Sequence, residues 1–386
     1  MAANPVLELS NIGPIDRARV ELGDLTVLVG PQASGKSVFL QFLKLVADGD
    51  RVRSKLREYG MEWGDEIAPF LDAYCGEGMR GIWAANSSVQ WNGSGVPVDT
   101  LIGIHPRKDL KPLSDHALLI PAQRVLIFTP DGWIRPFSDF RISDPFSIKF
   151  FSDFLRQSLE RGSAVGSAVF PNPTLLNPDI RQLLNRHVFH EFQLRLEREA
   201  PSKRLVFRSP GRAESLPPSV WSAGQREFVP LLLGLQDLLP ARKGRNGRGP
   251  SWVMIEELEM GLHPGAISAV LLMVLSLMEA GHRVVLSTHS PIILEFVWAI
   301  RILIEEHANP ELALRLLDCH AEAALRKLGQ SALSKEYRAF YFTGPGNAVK
   351  DISDLDPGSE DPAISEWGGL TSMSSRVADI VAEAVR

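Results

Sequence analysis

The chain has 386 residues, of which 45% are hydrophobic and 23% charged, with a formal net charge of −5. These ordinary values exclude collagenous, coiled-coil and wholly disordered proteins, and the acidic balance argues against a protein that coats nucleic acid with its whole surface. Its two cysteines, Cys75 and Cys319, are too few for a disulfide framework or a four-thiolate zinc site. No signal peptide or lipid anchor is indicated, and the longest apolar run, Ala266 to Met278, is shorter than the ~20 residues that span a bilayer. We therefore expect a cytoplasmic protein that does not contact a membrane.

The first third of the chain predicts strands, then a loop and a helix. The segment from Val6 to Val29 alternates apolar and polar residues around two turn signals, which predicts two half-exposed strands and then a buried one, Leu25 to Val29. A helix-like stretch from Ser37 to Val46 follows. A hairpin is indicated around Asn92, and a further strand from His116 to Ile120.

From about residue 145 the pattern becomes helical, most clearly from Ile180 to Glu199, where apolar residues recur at helical spacing. Beyond a proline-rich stretch, helices and buried strands alternate: helix Gln225 to Leu239, strand Trp252 to Ile255, helix Ala266 to Met278 and strand Val284 to Ser287. This alternation predicts a mainly parallel sheet with both faces covered by helices.

The strongest motif is the octapeptide from Gly30 to Ser37, GPQASGKS, which fits the phosphate-loop pattern between a predicted strand and a predicted helix. Glycines allow backbone N–H groups to close around phosphates, and the helix N-terminus adds a favourable dipole. Lys36 would reach the terminal phosphates and the Ser37 hydroxyl would bind Mg²⁺. The alternative is a glycine-rich turn without a ligand.

Two other predicted strands end in groups that could take part in the chemistry. The strand from Trp252 ends in Glu256 and Glu257, which places two acids at the carboxyl edge of the sheet. One acid could hold the magnesium shell and the other could polarise the attacking water, although strands often end in charge as they leave a core. The strand from Val284 is followed by His289, which on its own would be interpreted as structural.

A fourth motif, WSAGQRE, runs from Trp221 to Glu227 and precedes a predicted helix. It resembles the signature sequence of ABC-type ATPases, and all four motifs occur in the order of that family. The opening LSNIG, leading into LTVLVG, is also similar to the soluble branch that includes SMC, RecF and the OLD-family nucleases. The chain therefore resembles an ABC-type ATPase of that branch over residues 6 to about 300.

The resemblance implies an α/β P-loop fold of ABC type, with a mainly parallel sheet flanked by helices, an N-terminal antiparallel portion and a helical insertion. The implied division is residues 1–140 for the first part of the ATPase head, 141–215 for a mainly helical insertion, 216–310 for the rest of the head, and 311–386 for a helical or hairpin extension.

The resemblance also implies roles for individual residues in binding ATP and Mg²⁺. Lys36, Glu257 and His289 would be catalytic, with Glu257 as general base and His289 at the γ-phosphate. Mg²⁺ would be held by Ser37, Glu256 and Gln123, the last being a short match to the family's glutamine loop. Nucleotide contacts are expected from Gly30, Gln32, Ser34, Gly35, Lys36, Ser37, Val38, Gln123, Ser222, Gly224 and Gln225. In the family, the signature residues Ser222 and Gly224 complete the site of a second head, so ATP closes a dimer, which we expect to be a homodimer.

Three positions depart from the family pattern. Glu256 stands where most relatives have aspartate, Ala223 replaces the first signature glycine, and Gln32 replaces a frequent asparagine. Each leaves the essential groups in place, so an active enzyme is favoured over a nucleotide-binding scaffold.

The remaining segments give little support for other functions. No heptads or C-x-x-C pair support SMC-type arms or a zinc hook, and the 97 residues after His289 are too few to suggest a complete nuclease domain. The acidic stretch from Asp351 to Asp361 and the group His187, His190 and Glu191 could bind metal, but a solvated loop and an ordinary helix are the preferred interpretations. The basic loop from Arg242 to Gly249 could touch DNA or RNA, with a solvated loop as the alternative.

Three functions are therefore compared. The first is a cytoplasmic ATPase switch that acts on nucleic acid or on a partner effector, such as a nuclease or toxin, in prokaryotic DNA maintenance or anti-phage defence. The second is a non-hydrolysing, ATP-gated scaffold for such an effector. The third, the nucleotide-binding subunit of a membrane transporter, is disfavoured by the SMC-like opening and by the Leu262-His263-Pro264 ending of the acidic motif.

Overall fold

The computed structural model describes residues 4–104, 117–162, 167–171, 177–199, 202–211, 214–239, 251–319, 323–346 and 348–385. Its strands are β1 (Val6–Ile12), β2 (Ile15–Glu21), β3 (Leu25–Val29), β4 (Trp83–Trp91), β5 (Ser94–Gly95), β6 (Ala117–Ile120), β7 (Ala168–Phe170), β8 (Gln193–Glu199), β9 (Ser202–Arg208), β10 (Ser215–Leu216), β11 (Trp252–Ile255), β12 (Arg283–Ser287), β13 (Tyr337–Tyr341) and β14 (Lys350–Asp351).

The α-helices are α1 (Lys36–Glu58), α2 (Ile67–Cys75), α3 (Val98–Ile102), α4 (Phe146–Gly162), α5 (Pro178–Leu184), α6 (Ala223–Leu238), α7 (Pro264–Glu279), α8 (Pro291–Glu305), α9 (Pro310–Arg315), α10 (Ala323–Ala332), α11 (Pro362–Ser365) and α12 (Ser372–Val385). Short 3₁₀ turns occur at Met79–Ile82, Arg124–Ile127, Phe137–Asp139 and Pro218–Val220, and a π-helical turn at Asn185–Phe189.

A six-stranded sheet forms the centre of the fold, in the order β14-β13-β3-β12-β11-β6. The strands from β13 to β6 are parallel, and β14 is an antiparallel edge strand. Ile255 pairs with both Ile120 and Leu286, so β6, β11 and β12 end at the same level. This register brings the residues that follow these strands together at one edge of the sheet.

The core lies on both faces of this sheet because side chains alternate along each strand. In β11, Val253 and Ile255 join one hydrophobic cluster, whereas Trp252 and Met254 join the other. Helix α7 is buried along most of its length, which explains its almost uniformly apolar sequence.

The predicted fold class is confirmed, and most predicted elements are present. The predicted N-terminal antiparallel portion is the sheet β2-β1-β4-β5, which includes the predicted hairpin at Asn92. Strand β13 lies beyond residue 311, so the segment predicted as an extension contributes a parallel strand beside β3. His116 and the basic loop from Arg242 to Gly249 lie outside the described residues.

The prediction of a helix from Ile180 to Glu199 is wrong beyond Phe189. Residues 193–199 form β8, which pairs with β9 in the four-stranded antiparallel sheet β10-β9-β8-β7. Leu194 and Leu196 are two residues apart and both lie on the buried face of this sheet, as expected for a strand. The helical spacing of the preceding residues obscured this two-residue period in the sequence. The predicted mainly helical insertion is therefore mixed, with α4, α5 and the π-helical turn beside this sheet.

Among the described residues, the structure contains no helix that is both long and apolar enough to cross a membrane.

Candidate functional site

The loop between β3 and α1 requires glycine at two positions. Gly30 has φ 145°, and a Cβ there would lie 2.2 Å from the carbonyl oxygen of Phe342, just beyond β13. Gly35 has φ 101° and caps α1, and its Cβ would lie 2.5 Å from a carbon of Ile15. Both positions combine the left-handed region with a close approach, so only glycine allows this loop to turn into the helix.

Lys36 is folded back over the loop that carries it. Its Nζ donates to the carbonyl oxygens of Gly30 at 2.7 Å and Pro31 at 2.8 Å, and lies 3.5 Å from Ser34 Oγ. Burial lowers the pKa of Lys36 to about 8, against the opposing attraction of Glu257 and Glu259. An ammonium in this position can exchange carbonyl oxygens for phosphate oxygens without leaving the loop.

The other predicted loop residues differ in exposure. Gln32 and Ser37 are exposed, whereas Ser34 and Val38 are buried. Gln32 therefore lies at the open surface of the loop, and Val38 points into the protein core, where it belongs to the hydrophobic cluster of α1.

Glu256 lies at the end of β11, close to the phosphate loop. The carboxylate is buried and accepts a hydrogen bond from the backbone N–H of Ala122 at 3.0 Å. Burial raises the pKa of Glu256, and the Ala122 N–H and the Ser37 hydroxyl oppose the shift. A hydroxyl and a carboxylate are oxygen donors of the kind Mg²⁺ prefers, so the two residues fit this ion.

No group of three or more His, Cys, Asp or Glu side chains suited to a metal occurs in the described part of the chain. A magnesium ion beside Ser37 and Glu256 would therefore need phosphate and water oxygens to complete its shell, as is usual for Mg²⁺ bound with a nucleotide.

Glu257 is held in an unusual backbone conformation directly after Glu256. Its φ is 46°, and its backbone N–H donates to Ser287 Oγ at 3.3 Å. Its Oε1 lies 3.9 Å from His289 Nε2, and the two side chains are 34% and 32% exposed. This left-handed backbone conformation presents the carboxylate at the open edge of the sheet beside the histidine.

Glu259 belongs to this site but was missed by the sequence analysis. Its Oε1 accepts the backbone N–H of His289 at 2.6 Å, and its charge acts on Lys36. Glu259 lies 30 residues from His289 in the chain, so the contact depends on the pairing of β11 with β12 and has no local sequence signal.

Gln123 follows β6 at the same edge and begins the 3₁₀ turn Arg124–Ile127, with an exposed side chain. Its neighbour Ala122 is the residue whose N–H binds Glu256. The structure thus brings the segment of Gln123 to the acid pair, while a role of Gln123 as a ligand stays a prediction.

The signature segment begins helix α6 with a reciprocal cap. Ser222 Oγ accepts the backbone N–H of Gln225 at 3.2 Å, and Gln225 Oε1 accepts the N–H of Ser222 at 3.0 Å. This capping box exposes Ser222 at the start of the helix. Gly224 packs against the turn after the acid pair, where its Cβ would lie 2.2 Å from the carbonyl oxygen of Gly261.

Part of the chain is similar to a known protein family. A family model described as "AAA domain, putative AbiEii toxin, Type IV TA system" matches residues 105–295. This range includes Gln123, the signature segment, the acid pair and His289, and it begins after the phosphate loop. A comparison with curated protein sequences gives no match.

Several solved structures resemble the fold. The SMC head bound to the C-winged helix domain of ScpA is 11% identical, with a TM-score of 0.41, over 91% of this chain and 97% of that chain. The SMC head domain from Thermotoga maritima is 13% identical, with a TM-score of 0.35, over 91% of this chain and 99% of that one. A dimeric bacterial ABC transporter cassette is 11% identical, with a TM-score of 0.33, over 74% of this chain and 88% of its own.

The order of the motifs along the strands agrees with the family match. The phosphate loop follows β3, the acid pair follows β11, the histidine follows β12, and the signature helix packs on the turn after the acids. The family match over residues 105–295 and the order of the motifs along the strands together support an ABC-type P-loop ATPase.

Proposed function

We propose that the chain binds ATP with Mg²⁺ and hydrolyses it at the edge of the central sheet. The observation that carries this proposal is the parallel pairing of β3, β12 and β11, which brings the phosphate loop to the same edge of the sheet as Glu256. This arrangement supports one site that contains the phosphate-binding and acidic motifs, next to Glu257 and His289.

We propose the following role for each residue of the site. The backbone N–H groups of the loop and the N-terminus of α1 bind the phosphates, and Lys36 neutralises their charge. Mg²⁺, when bound, would polarise the phosphoryl oxygens. Glu257 accepts the proton of the attacking water, and His289 donates a hydrogen bond to the γ-phosphate from beside that carboxylate.

We propose further that two copies of the chain close around ATP. Ser222 is exposed at the N-terminus of α6, where a helix end and a hydroxyl are suited to bind phosphate oxygens of a second head. A dimer of this kind assembles on binding and opens on hydrolysis, which makes the chain a switch.

We propose that this switch acts in the cytoplasm on a nucleic acid or on an effector such as a nuclease or toxin. The description of the matched family, which names a toxin–antitoxin system, supports a setting in DNA maintenance or anti-phage defence.

The enzymatic proposal is tested by steady-state ATP hydrolysis with the wild type, Lys36→Ala and Glu257→Gln. The wild type should turn over ATP in a Mg²⁺-dependent manner, Lys36→Ala should lose nucleotide binding, and Glu257→Gln should bind ATP without turnover. Turnover by either variant at the wild-type rate would contradict the site assignment. ATP binding by the wild type that gives no phosphate, with Glu257→Gln indistinguishable from it, would favour the non-hydrolysing scaffold.

A further inference from the structure

Arg124 connects three motifs of the site through its buried guanidinium. The side chain is 0% exposed. Its Nη1 donates to the carbonyl oxygens of Pro121 at 3.1 Å and Glu256 at 2.8 Å, and its Nη2 donates to the carbonyl oxygen of Glu257 at 3.1 Å. Both residues of the acid pair are thus anchored at their backbone by a side chain that follows Gln123 directly.

The same guanidinium also binds the signature helix. Its Nε donates to the carbonyl oxygen of Glu227 in α6 at 3.0 Å. The Glu227 carboxylate lies beside the guanidinium, with its Oε2 3.9 Å from Arg124 Nε. Arg124 therefore contacts α6 through both the backbone and the side chain of Glu227, five residues after Ser222 in the same helix.

Arginine suits this position better than lysine. Its planar guanidinium offers five N–H donors in fixed directions, and four acceptors surround it here, from Pro121, Glu227, Glu256 and Glu257. A lysine ammonium is a single point of charge on a flexible chain and cannot reach acceptors on both sides at once. Since a buried charge is costly unless it is fully bonded, these contacts also hold the surrounding segments in one arrangement.

We propose that Arg124 is a positioning residue that couples the two ATP sites of the dimer. It fixes the backbone of Glu257, which serves its own site, and it holds the helix whose Ser222 completes the site of the partner head. A change at one site is thereby transmitted to the other through a single side chain. This inference rests on the proposed function, because it requires the head dimer.

The test uses the full chain in the Glu257→Gln background, where ATP should trap the dimer. The double variant Glu257→Gln with Arg124→Lys keeps the phosphate loop and Ser222 intact. We expect its monomer to bind a fluorescent ATP analogue as tightly as the single variant, while the ATP-dependent dimer weakens at least about tenfold, within the usual range of coupling between sites. Sedimentation of the two variants with ATP and Mg²⁺ measures the dimer constant.

A matched control is available at Arg53, another buried arginine that donates to two carbonyl oxygens, those of Thr100 and Leu101. Arg53→Lys in the same background should leave the dimer constant unchanged. Glu227→Ala provides a second variant, because it removes the carboxylate that lies 3.9 Å from Arg124 Nε and keeps Arg124 itself. Glu227→Ala should also weaken the ATP-dependent dimer, and it can be measured even if Arg124→Lys does not fold.

The possible outcomes distinguish a failure of the coupling by Arg124 from a failure of the proposed function. An equal dimer constant for Glu257→Gln alone and with either Arg124→Lys or Glu227→Ala would overturn the coupling and leave the ATPase assignment standing. An effect of Arg53→Lys as large as that of Arg124→Lys would also overturn it. A Glu257→Gln protein that ignores ATP in sedimentation would overturn the dimer mechanism itself, and with it the coupling.

Discussion

Gly224 of the signature helix and Gly261 of the turn after the acid pair touch through their backbones. A Cβ on Gly224 would lie 2.2 Å from the carbonyl oxygen of Gly261, and a Cβ on Gly261 would lie 2.8 Å from the Cα of Gly224. The signature glycine thus has a packing role within its own chain. Because of this contact, α6 cannot move without moving the turn that begins at Glu256.

Gly224→Ala should separate α6 from this turn, at a cost of about 1–3 kcal/mol for a forced backbone shift. We expect ATP turnover to fall at least about tenfold, with binding of ATP to the phosphate loop retained. Gly81→Ala is the control, because a Cβ there meets no atom within 4 Å. Full turnover by Gly224→Ala, with an unchanged melting temperature, would show that the contact has no importance.

Lys36 makes ATP binding depend on pH. Its pKa of about 8 in the nucleotide-free protein lies below the ordinary value of 10.5, so the amine is charged at pH 7 and loses its proton as the pH rises through about 8. Negative phosphates favour the charged form. Binding above pH 8 is therefore coupled to proton uptake, and the affinity should fall with rising pH, by up to about tenfold per unit.

Titration calorimetry in buffers of different ionisation enthalpy, between pH 7 and pH 9.5, measures this proton uptake. Lys149→Arg is a suitable control, because burial also lowers the pKa of Lys149 to about 8, yet its Nζ binds the carbonyl oxygens of Arg141 and Ile142, away from the phosphate loop. A constant affinity for ATP across this range would refute the assignment to Lys36.

Glu259 should act on turnover through His289, whose backbone N–H it accepts. Glu259→Ala removes this hydrogen bond from a charged group, worth about 1.5–3 kcal/mol, so kcat should fall by about ten- to hundredfold with ATP affinity nearly unchanged. Kinetics over a range of ATP concentrations separates the two effects. Glu295→Ala, at an exposed position in α8, provides the control, and a rise in KM at constant kcat would exclude this positioning role.

Glu256→Gln should change the requirement for Mg²⁺. The glutamine keeps the shape and an oxygen to accept the N–H of Ala122, but it removes the negative charge beside Ser37. We expect half-maximal turnover to need about tenfold more Mg²⁺, while ATP binding without Mg²⁺ is unaffected or tighter. An unchanged Mg²⁺ dependence would exclude Glu256 from the metal shell.

Local patterns were sufficient to predict the elements that carry the motifs. The strands before Gly30, Glu256 and His289 are short and mostly apolar, and glycine or polar residues follow them, so both the strands and their functional edge follow from the sequence. The parallel arrangement follows from the alternation with helices.

Contacts between distant segments could not be predicted in this way. The pairing of β8 with β9 overrode a helical pattern, since Leu194 and Leu196 gain a buried face only when that sheet forms. Arg124 and Glu259 are unremarkable in the sequence, and each acquires its contacts only once β6, β11, β12 and α6 have been brought together. Their place in the site is a property of the tertiary fold.

The most direct test of the account is the mass of Glu257→Gln in solution, measured by light scattering with and without ATP and Mg²⁺, beside the wild type and Lys36→Ala. The account predicts that ATP converts Glu257→Gln from monomer to a persistent dimer, that the wild type forms a dimer that decays as ATP is consumed, and that Lys36→Ala stays monomeric. A mass of Glu257→Gln that is the same with and without ATP would contradict the closing of two heads around the nucleotide.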